Sequence, residues 1–393
     1  MPEPLHDADE ALDRAVRLAP ALAAGASDRD RERRLPRDEI AALTDSGLLT
    51  ITVPRRFGGP GLGAETLSRV VALLAAADPS LAQIPQSHFV FLEALARAGS
   101  DELRAEIFGR VLAGARIANA QTERFSETVR EDVTRVTADR GGLVLTGTKY
   151  YCTGAVFADV LAVRAVHDDG RTVIAYVDAD APGITIDTDW NGFGQRTTSS
   201  GTVVFDRTPV RADRLLDYSA LIDASGTYGA RAQLIHAAID TGIARGALDA
   251  AVGVVAAARP WFEAEVSRAA DDPLLLVQAG DLELAVRGAE SLLATAARRI
   301  DDADAAPQPD PAAVGEASLA TAAAKVAAGR AARRAASDLF DVGGTRAAAE
   351  SSNLSRFWRD ARTHTLHDPE RWKLHHLGRW ALDRRLPTGH GSL

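Results

Sequence analysis

Apolar residues in the first third of the chain recur at the spacing of amphipathic helices. The first such helix places four of them three or four positions apart, namely Leu12, Val16, Ala19 and Ala23. This period puts them on one face, where they can be buried against neighbouring elements. Two further apolar runs of helical type follow before residue 100. We therefore predict an N-terminal α-helical domain over residues 8–114.

The period of the apolar residues changes from helical to alternating after residue 114. Segments 133–138 and 143–148 alternate around a D-R-G-G turn, and segments 160–166 and 172–177 flank an H-D-D-G turn. Short alternating runs separated by glycine-containing turns are typical of antiparallel strands. Several such strands in succession predict a small β-barrel or sandwich. We assign this central β-domain to residues 115–215.

Long alanine-rich helical patterns occupy the last third of the chain. They cover segments 235–259, 274–299 and 312–340, and a connection rich in Asp, Ala and Pro separates the second from the third. Consecutive long helices predict an antiparallel four-helix bundle, here over residues 220–381. The order of helices, strands and helices places the fold in the α+β class.

The composition narrows the class of protein without naming it. Hydrophobic residues make up 46% and charged residues 25% of the 393 positions, which is ordinary for a globular protein. The formal net charge of -9 does not indicate a nucleic-acid-binding surface. The acidic N-terminus has no signal-peptide core, and no apolar stretch is long enough to cross a membrane. Cys152 is the only cysteine, so no internal disulfide can form and we expect a cytoplasmic protein.

Four segments in order along the chain carry a resemblance to a known enzyme superfamily. They read N-A-Q-T-E at 119–123, G-T-K-Y-Y-C-T-G at 147–154, G-F-G-Q-R-T-T-S-S-G at 192–201 and R-F-W-R-D-A-R at 356–362. These segments resemble the T-E, G-x-K-x-W-I-T-N, G-x-R-x-S-x-T and R-x-x-R-D-A elements of the acyl-CoA dehydrogenase superfamily. The resemblance implies N-terminal helices, a central β-domain and a C-terminal four-helix bundle. Because the family usually assembles through that bundle, it also implies a homotetramer.

Three segments resemble one monooxygenase branch of that superfamily. They are I-P-Q-S-H-F at 84–89, F-G-Q-R-T-T at 193–198 and R-T-H-T-L-H-D-P at 362–369. The branch is that of the dibenzothiophene monooxygenases and the SfnB-type sulfur-acquisition oxidoreductases. Its members are two-component systems, so the resemblance implies reduced FMN supplied by a separate flavin reductase. It also implies O2 as co-substrate and a small organic substrate, which we expect to be an organosulfur compound.

Two departures from the dehydrogenase pattern favour this branch. In the dehydrogenases a catalytic Glu often follows R-D-A. Asp368 occupies that position in this chain; its side chain is one methylene shorter than that of Glu, and the next residue is a proline. Two slots that contact the adenylate half of FAD hold Phe340 and Glu370, and a glutamate there would repel a diphosphate. These losses favour FMN over FAD. An FAD-dependent acyl-CoA dehydrogenase and an N- or C-oxygenase of the same fold remain as alternatives.

The resemblance also implies which residues contact the flavin ring. Asn119, Gln121 and Thr122 fall on the segment that runs along its pyrimidine edge. Thr153 matches the threonine that faces flavin N5, and Tyr151 takes the place of the tryptophan that covers the ring. On their own, Tyr151 and Thr153 could equally be strand residues favoured for their β propensity.

Two residues are expected to contact the flavin phosphate. Thr128 matches a phosphate-contacting serine of the superfamily, although the match is loose. Arg362 has the forked guanidinium that suits phosphate oxygens across a subunit boundary. The alternative for Arg362 is an ion pair inside the bundle.

His367 is the foremost catalytic candidate. Oxygen activation on a reduced flavin needs a group near neutral pKa that manages protons, and histidine is the side chain suited to that task. His367 lies beside the slot that faces the flavin in the dehydrogenases. His364, three residues earlier, could be its partner behind the site. His88, on a segment that caps the site in the family, is a second candidate, and Asn119 and Thr153 complete the set. A lone histidine is otherwise more often structural.

Aromatic residues near these segments predict an apolar, water-poor substrate pocket. It would be formed by Phe89, Trp190 and Phe193 together with His367. Such a pocket suits a flat or small apolar substrate and limits access of water to the reacting group. We assign no metal site, since the adjacent histidines at 375 and 376 point apart on a helix and no cysteine or carboxylate cluster accompanies them.

Overall fold

The computed structural model describes residues 1–124, 131–224, 226–306, 308 and 310–387. Its first part is helical, as the sequence pattern predicted. Asp7 caps the first helix by accepting from the backbone N–H of Glu10, which satisfies one of the free donors at the helix start. The helices of this part are α1 Ala8–Ala23, α2 Ala26–Glu32, α3 Arg37–Asp45, α4 Ala64–Ala77, α5 Pro79–Gln83, α6 Gln86–Ala98 and α7 Asp101–Leu112.

Eight strands of the described part of the chain form the sheet that follows. The predicted hairpin at 160–177 is confirmed, because β4 and β5 pair antiparallel from Val160 opposite Asp178 to Val166 opposite Thr172. The strands are β1 Ile117–Ala120, β2 Arg135–Asp139, β3 Gly142–Cys152, β4 Val160–His167, β5 Thr172–Asp178, β6 Ile184–Ile186, β7 Gly201–Val210 and β8 Leu215–Asp217.

The strand order shows how this sheet is built. It runs β6-β7-β3-β2-β4-β5-β8, and β1 pairs in parallel with β4 beside this path. Within the described residues β6 and β8 lie at opposite ends of the path and do not pair with each other. The closed barrel that the strand pattern allowed is therefore not formed, and the strands make one open sheet.

The third part contains the predicted long helices. Two of them begin with Pro after a capping Asp, at Asp272 and Asp310, where the missing proline N–H costs no hydrogen bond. The bundle consists of three long helices, with two shorter ones in place of a continuous fourth. The helices are α8 Tyr218–Asp223, α9 Tyr228–Ala256, α10 Pro273–Asp304, α11 Pro311–Gly343, α12 Ser355–His364 and α13 Glu370–Asp383.

Two glycines let the N-terminal helices pack directly onto this bundle. A Cβ atom at Gly242 of α9 would lie 2.4 Å from the backbone oxygen of Ala72 on α4. One at Gly246 would lie 2.5 Å from the backbone oxygen of Ala76. The backbones of α4 and α9 therefore approach more closely than side chains would allow. This contact holds the first and third parts of the fold together.

The described residues contain neither a membrane-spanning helix nor a metal-binding cluster. No helix there has the length and apolar content required to span a membrane. No group of three or more His, Cys, Asp or Glu side chains there is arranged to hold a metal ion.

Candidate active site

A buried lysine fixes the segment that carries the T-E motif. Lys149 of β3 is fully buried, and its Nζ lies 2.7 Å from Oε1 of Glu123 and 2.9 Å from Oδ1 of Asp132. The same ammonium donates to the backbone oxygen of Gln121 at 3.2 Å. Burial by itself raises the pKa of Glu123, but Lys149 and two backbone N–H groups lower it to about 2. The carboxylate is therefore ionised, and the segment is tied to the sheet on both sides of residues 125–130.

The predicted pyrimidine-edge residues lie together at the end of β1. Asn119 pairs with Ala162 of β4, and its Oδ1 is buried without a hydrogen-bond partner among the described residues. Gln121 donates from Nε2 to the backbone oxygen of Ala162 at 2.7 Å. The backbone oxygen of Thr122 accepts from the N–H of Tyr150 at 2.8 Å. An unsatisfied buried acceptor is costly, so Asn119 fits a ligand that brings an N–H donor, as a flavin ring does.

Thr153 starts a chain of hydroxyl groups across the end of the sheet. Its Oγ1 lies 2.7 Å from Oγ of Ser200, which lies 2.8 Å from Oγ1 of Thr198. Thr198 donates to the backbone oxygen of Gln195 at 3.0 Å. Hydroxyl groups both donate and accept, so this chain can adjust to a partner that changes its protonation. The sequence motifs contained these residues but did not predict that they would join.

Aromatic side chains surround this end of the sheet. Tyr151 is 45% exposed and has a positive φ of 56°, which is unusual for a bulky residue and turns its ring out of the strand. The ring of Trp190 meets it edge-on at 6.3 Å between centroids. Phe193 is 47% exposed and lies 6.0 Å from the ring of Trp358 on α12. Three predicted site residues, Tyr151, Trp190 and Phe193, are thus brought into one region.

The loop that carries Trp190 and Phe193 is docked on α12. The backbone N–H of Gln195 donates to Oδ1 of Asp360 at 2.6 Å. A Cβ atom at Gly194 would lie 2.0 Å from the backbone oxygen of Arg359, so only glycine permits this approach. Arg359 itself forms an ion pair with Asp30 of α2 at 2.5 Å. Hydrogen bonds and close packing therefore connect this loop both to the hydroxyl chain and to α12.

Burial of Asp360 predicts a pH-dependent stability. Burial raises the pKa of this carboxyl from 3.8 to about 7. The folded protein then holds a proton that the unfolded chain has lost, so stability falls as pH rises from about 4 to 7. Between pH 5 and 8 we expect a loss on the order of 2 kcal/mol that the Asp360→Asn variant does not show. Urea unfolding of both proteins at several pH values measures it, and equal slopes would contradict this reading of Asp360.

In the turn after α12, the side chains of His367 and Asp368 have different environments. The His367 side chain is 48% exposed, whereas Asp368 turns inward and lies 2.5 Å from Nζ of the buried Lys373. Burial raises the pKa of Asp368, but His367, Lys325 and Lys373 outweigh it and hold the pKa well below its usual range. Asp368 is thus a fixed anion directed into the bundle, and the exposed position of this turn belongs to the histidine.

His364 and three residues that the motifs did not predict lie buried behind this turn. They are His236 and Asp240 of α9 and Lys325 of α11. A sequence signal for the pair on α9 does exist, because His236 and Asp240 stand four residues apart with only apolar residues between them. Lys325 is likewise an isolated charge in an alanine-rich run.

His88 has a different environment from the one expected of a catalytic residue. It is buried, its Nε2 donates to the backbone oxygen of Leu49 at 2.9 Å, and its Nδ1 accepts from the N–H of Ile117 at 3.0 Å. Burial lowers the pKa of His88 to about 4, so the ring is neutral. With both ring nitrogens engaged, His88 has none left for a substrate, and this geometry gives it the structural role of holding α6 to β1.

Phe89 and Arg362, which were also predicted, have other surroundings in the structure. Phe89 is buried in the core, where it borders a small cavity with Leu67 and Ile235. Arg362 is half-buried on the last turn of α12 and forms no ion pair with a carboxylate of the described residues. Thr128 lies outside the described residues.

Glu370 was expected to repel a diphosphate, but two arginines neutralise its charge in the fold. Glu370 lies 3.0 Å from Nε of Arg330 and 2.8 Å from Nη2 of Arg333. Repulsion by Glu370 therefore carries less weight against FAD than the sequence indicated. Phe340 packs partly buried against the core and offers no hydrogen bond to an adenylate.

Comparison with known proteins identifies the family. Models of the N-terminal, middle and C-terminal domains of acyl-CoA dehydrogenase match residues 7–115, 120–208 and 234–369 in order. Dibenzothiophene monooxygenase of Rhodococcus qingshengii is 32% identical over 388 residues, covering 94% of this chain and 92% of that protein. The chain belongs to the acyl-CoA dehydrogenase family. "Probable FMNH2-dependent monooxygenase SfnC" of Pseudomonas putida is 33% identical to this family member over 388 residues, with 96% of each chain covered.

Solved structures show the same similarity. FMN-bound TdsC from Paenibacillus sp. A11-2 superposes on this acyl-CoA dehydrogenase family member with a TM-score of 0.92 and 31% identity, covering 98% of this chain and 100% of that one. Methanesulfinate monooxygenase MsuC from Pseudomonas fluorescens superposes with a TM-score of 0.90 and 33% identity, covering 97% and 99%. These similarities confirm the predicted fold class and the predicted relationship to sulfur-oxidising members of the family.

Proposed function

We propose that the chain is a two-component flavin monooxygenase that oxygenates a small organosulfur compound. In the overall reaction, the sulfur substrate, O2 and FMNH2 give the oxygenated substrate, FMN and water. Reduced FMN, when bound, supplies the two electrons that activate oxygen. Support comes from the relatives named for dibenzothiophene and methanesulfinate oxygenation and from the FMN-bound structure of TdsC.

The turn at 367–368 is the observation that carries the choice between oxygenation and desaturation. A dehydrogenase needs a carboxylate free to remove a substrate proton. In this chain the carboxylate at that slot is fixed by Lys373 at 2.5 Å. The exposed neighbour, His367, has its Nδ1 3.8 Å from Oδ1 of Asp368, which leaves Nε2 to give or take a proton. A proton-transferring imidazole suits oxygen chemistry at neutral pH.

The residues that would hold the flavin lie at the end of the sheet. Asn119 offers an unsatisfied acceptor, and Gln121 and Thr122 lie along the same edge. Thr153 offers a hydroxyl backed by Ser200, with which it shares a hydrogen bond.

The flavin ring and phosphate would be held by side chains on either side of that edge. Tyr151 would supply a half-exposed ring beside the flavin. The guanidinium of Arg362, which pairs with no carboxylate of the described residues, would supply a donor for the phosphate. Trp190 and Phe193 would line the substrate pocket with His367 and exclude water from it.

The same proposal includes partners and an assembly. A separate flavin reductase would deliver FMNH2, and both proteins would work in the cytoplasm. We also expect a homotetramer formed through the bundle, since α10 exposes a set of apolar side chains that a second copy could cover. They are Leu274, Leu276, Val277 and Leu284.

Flavin preference separates this proposal from its main alternative. Under anaerobic conditions the purified protein is expected to bind FMNH2 in preference to FAD, and acyl-CoA thioesters should not bleach any bound flavin. Fluorescence titration and absorbance spectra measure both properties. An FAD-dependent acyl-CoA dehydrogenase would instead retain FAD through purification and lose its yellow colour on addition of an acyl-CoA. That result would exclude the proposed function.

A further inference from the structure

Three histidines of the C-terminal bundle form a line that ends at His367. His364, at the end of α12, brings its Nε2 to 3.1 Å from Nδ1 of His236 on α9. The ring of His236 lies against the ring of His367, with 3.9 Å between centroids and an interplanar angle of 34°. His236 and His364 are buried, whereas His367 is half-exposed. His367 is therefore the member of this line that a substrate can reach.

The other end of the line is a buried ion pair. Asp240, one helical turn after His236, accepts through Oδ1 from Nδ1 of His364 at 2.5 Å. Its Oδ2 accepts from Nζ of Lys325 on α11 at 3.1 Å. Burial by itself raises the pKa of Asp240, but Lys325 and His364 outweigh burial and the pKa is lowered. Asp240 is therefore an ionised group that can only accept hydrogen bonds.

When both buried histidines are neutral, the donors and acceptors along the line permit one arrangement of protons. Because Asp240 only accepts, His364 carries its proton at Nδ1, and its Nε2 is then an acceptor. His236 donates to it from Nδ1, which leaves Nε2 of His236 without a proton. Burial lowers the pKa of His236 and, in spite of Asp240, that of His364. Both rings are thus neutral near neutral pH.

Charged groups of α11, α13 and the turn before α13 face the Asp240 end of this line. Around Asp240 and Lys325 they are Arg333 of α11, Lys373 of α13, and Asp368 and Glu370 of the turn and the first turn of α13. Asp368 pairs with Lys373, and Glu370 pairs with Arg333, so these charges largely cancel. The ion pair of Asp240 with Lys325 therefore sets the direction of the hydrogen bonds.

We propose that Asp240, His364 and His236 are positioning residues for His367, with Lys325 fixing the direction of the hydrogen-bonded chain. The chain keeps His236 neutral and in one tautomer, so that His367 stacks on an uncharged ring and is itself the group that takes up the proton. This inference rests on the proposed function, because it assigns the residues that stand behind its proton-transferring side chain. Apolar side chains could fill the same volume of the bundle at no loss of stability, since buried ion pairs seldom stabilise more than such replacements.

Asp240→Asn tests the direction of the chain. Lys325 can only donate, so the carboxamide oxygen is expected to face Lys325 and the carboxamide NH2 to face His364. His364 must then accept at Nδ1, and both buried histidines change tautomer. Nitrogen-15 spectra of histidine-labelled protein should show His236 protonated at Nε2 instead of Nδ1. The variants His236→Gln and His364→Gln assign the two signals.

The double variant Asp240→Asn/Lys325→Met separates positioning from simple structural support. Methionine removes the ammonium, so the carboxamide oxygen can face His364 again and the wild-type tautomers should return. We expect kcat of the single variant to fall about tenfold or more, with KM values within about twofold, and the double variant to recover most of the loss. A purely structural role predicts the reverse order, because the double variant removes more contacts.

Thr241→Val is the matched control on the same helix. Thr241 is buried beside Asp240 but donates to the backbone oxygen of Ala237 at 2.8 Å, outside the line of histidines. This variant should keep the wild-type tautomers and kcat. An unchanged nitrogen-15 pattern in Asp240→Asn, or a double variant as slow as the single one, would overturn the inference.

The test also covers two further cases, a variant that does not fold and a wild-type protein without activity. If Asp240→Asn does not fold, Lys325→Met alone is measured, and it should give a doubly protonated His364 beside the unpaired Asp240. A neutral His364 in that variant counts against the inference. The spectra require neither flavin nor substrate, so a wild-type protein without oxygenase activity would exclude the proposed function while leaving the tautomer result in place.

Discussion

Replacing His367 by glutamine is expected to lower kcat for oxygenation by about 100-fold or more, which is the usual contribution of a general acid–base group. Glutamine keeps the polar character of the side chain but has no proton to exchange near neutral pH. FMNH2 and O2 would then give FMN and H2O2 without product. The measurement is the ratio of oxygenated product to H2O2 under FMNH2-limited conditions, together with the affinity for FMN, which should change little.

His375→Gln is the control for that experiment. His375 is exposed on α13 and lies outside the candidate site, with its ring 5.3 Å from Trp372. This variant should retain the wild-type product ratio. If His367→Gln also retained it, or if both variants lost product equally, the assignment of His367 to proton transfer would fail.

Replacing Lys149 by methionine is expected to have the largest effect on stability. The ammonium of Lys149 is the shared partner of Glu123 and Asp132, which are nearly as buried as the lysine itself. Removing it leaves two carboxylates without that partner, at a cost of about 3 kcal/mol. The segment that carries Gln121 and Thr122 also loses a tie to the sheet, so FMN affinity should fall. Urea unfolding and flavin titration measure the two effects.

Arg171→Met is the matched control for Lys149. Arg171 also joins two carboxylates, Asp169 at 2.6 Å and Asp217 at 2.8 Å, but it is exposed. Exposed ion pairs contribute little to stability because water solvates the separated charges nearly as well. Equal losses from both variants would show that burial of the Lys149 cluster is not what fixes the flavin segment.

The helices and most strands could be predicted because each carries its own period. The hairpin of β4 and β5 follows directly from its alternation and its turn. The start of α9 was predicted seven residues late, at 235 instead of Tyr228, because the helix is buried on most sides and its amphipathic period is weak. The pattern left open whether the strands form a barrel or a sandwich, for another reason. Strand order depends on long-range pairing, such as that of β1 with β4, which a local pattern does not contain.

The candidate site could be predicted only where a motif is local. The motifs predicted Tyr151, Trp190 and Phe193 as residues of one site, and the structure places them in one region. The motifs could not show that both ring nitrogens of His88 already form hydrogen bonds within the fold. The inward direction of Asp368 likewise depends on Lys373 of the next helix. His364 was predicted as a partner of His367, but its contact with His236 was not, since His236 and His364 are 128 residues apart.

Transfer of oxygen from O2 to sulfur is the most direct test of the central claim. The protein would be incubated with a flavin reductase, FMN, NADH and 18O2, with dibenzothiophene and methanesulfinate as separate probes. We predict that at least one of the two products carries one 18O atom per oxygenation, and that omitting either FMN or the protein abolishes it. Products without 18O from either probe, combined with reduction of bound FAD by an acyl-CoA, would contradict the account.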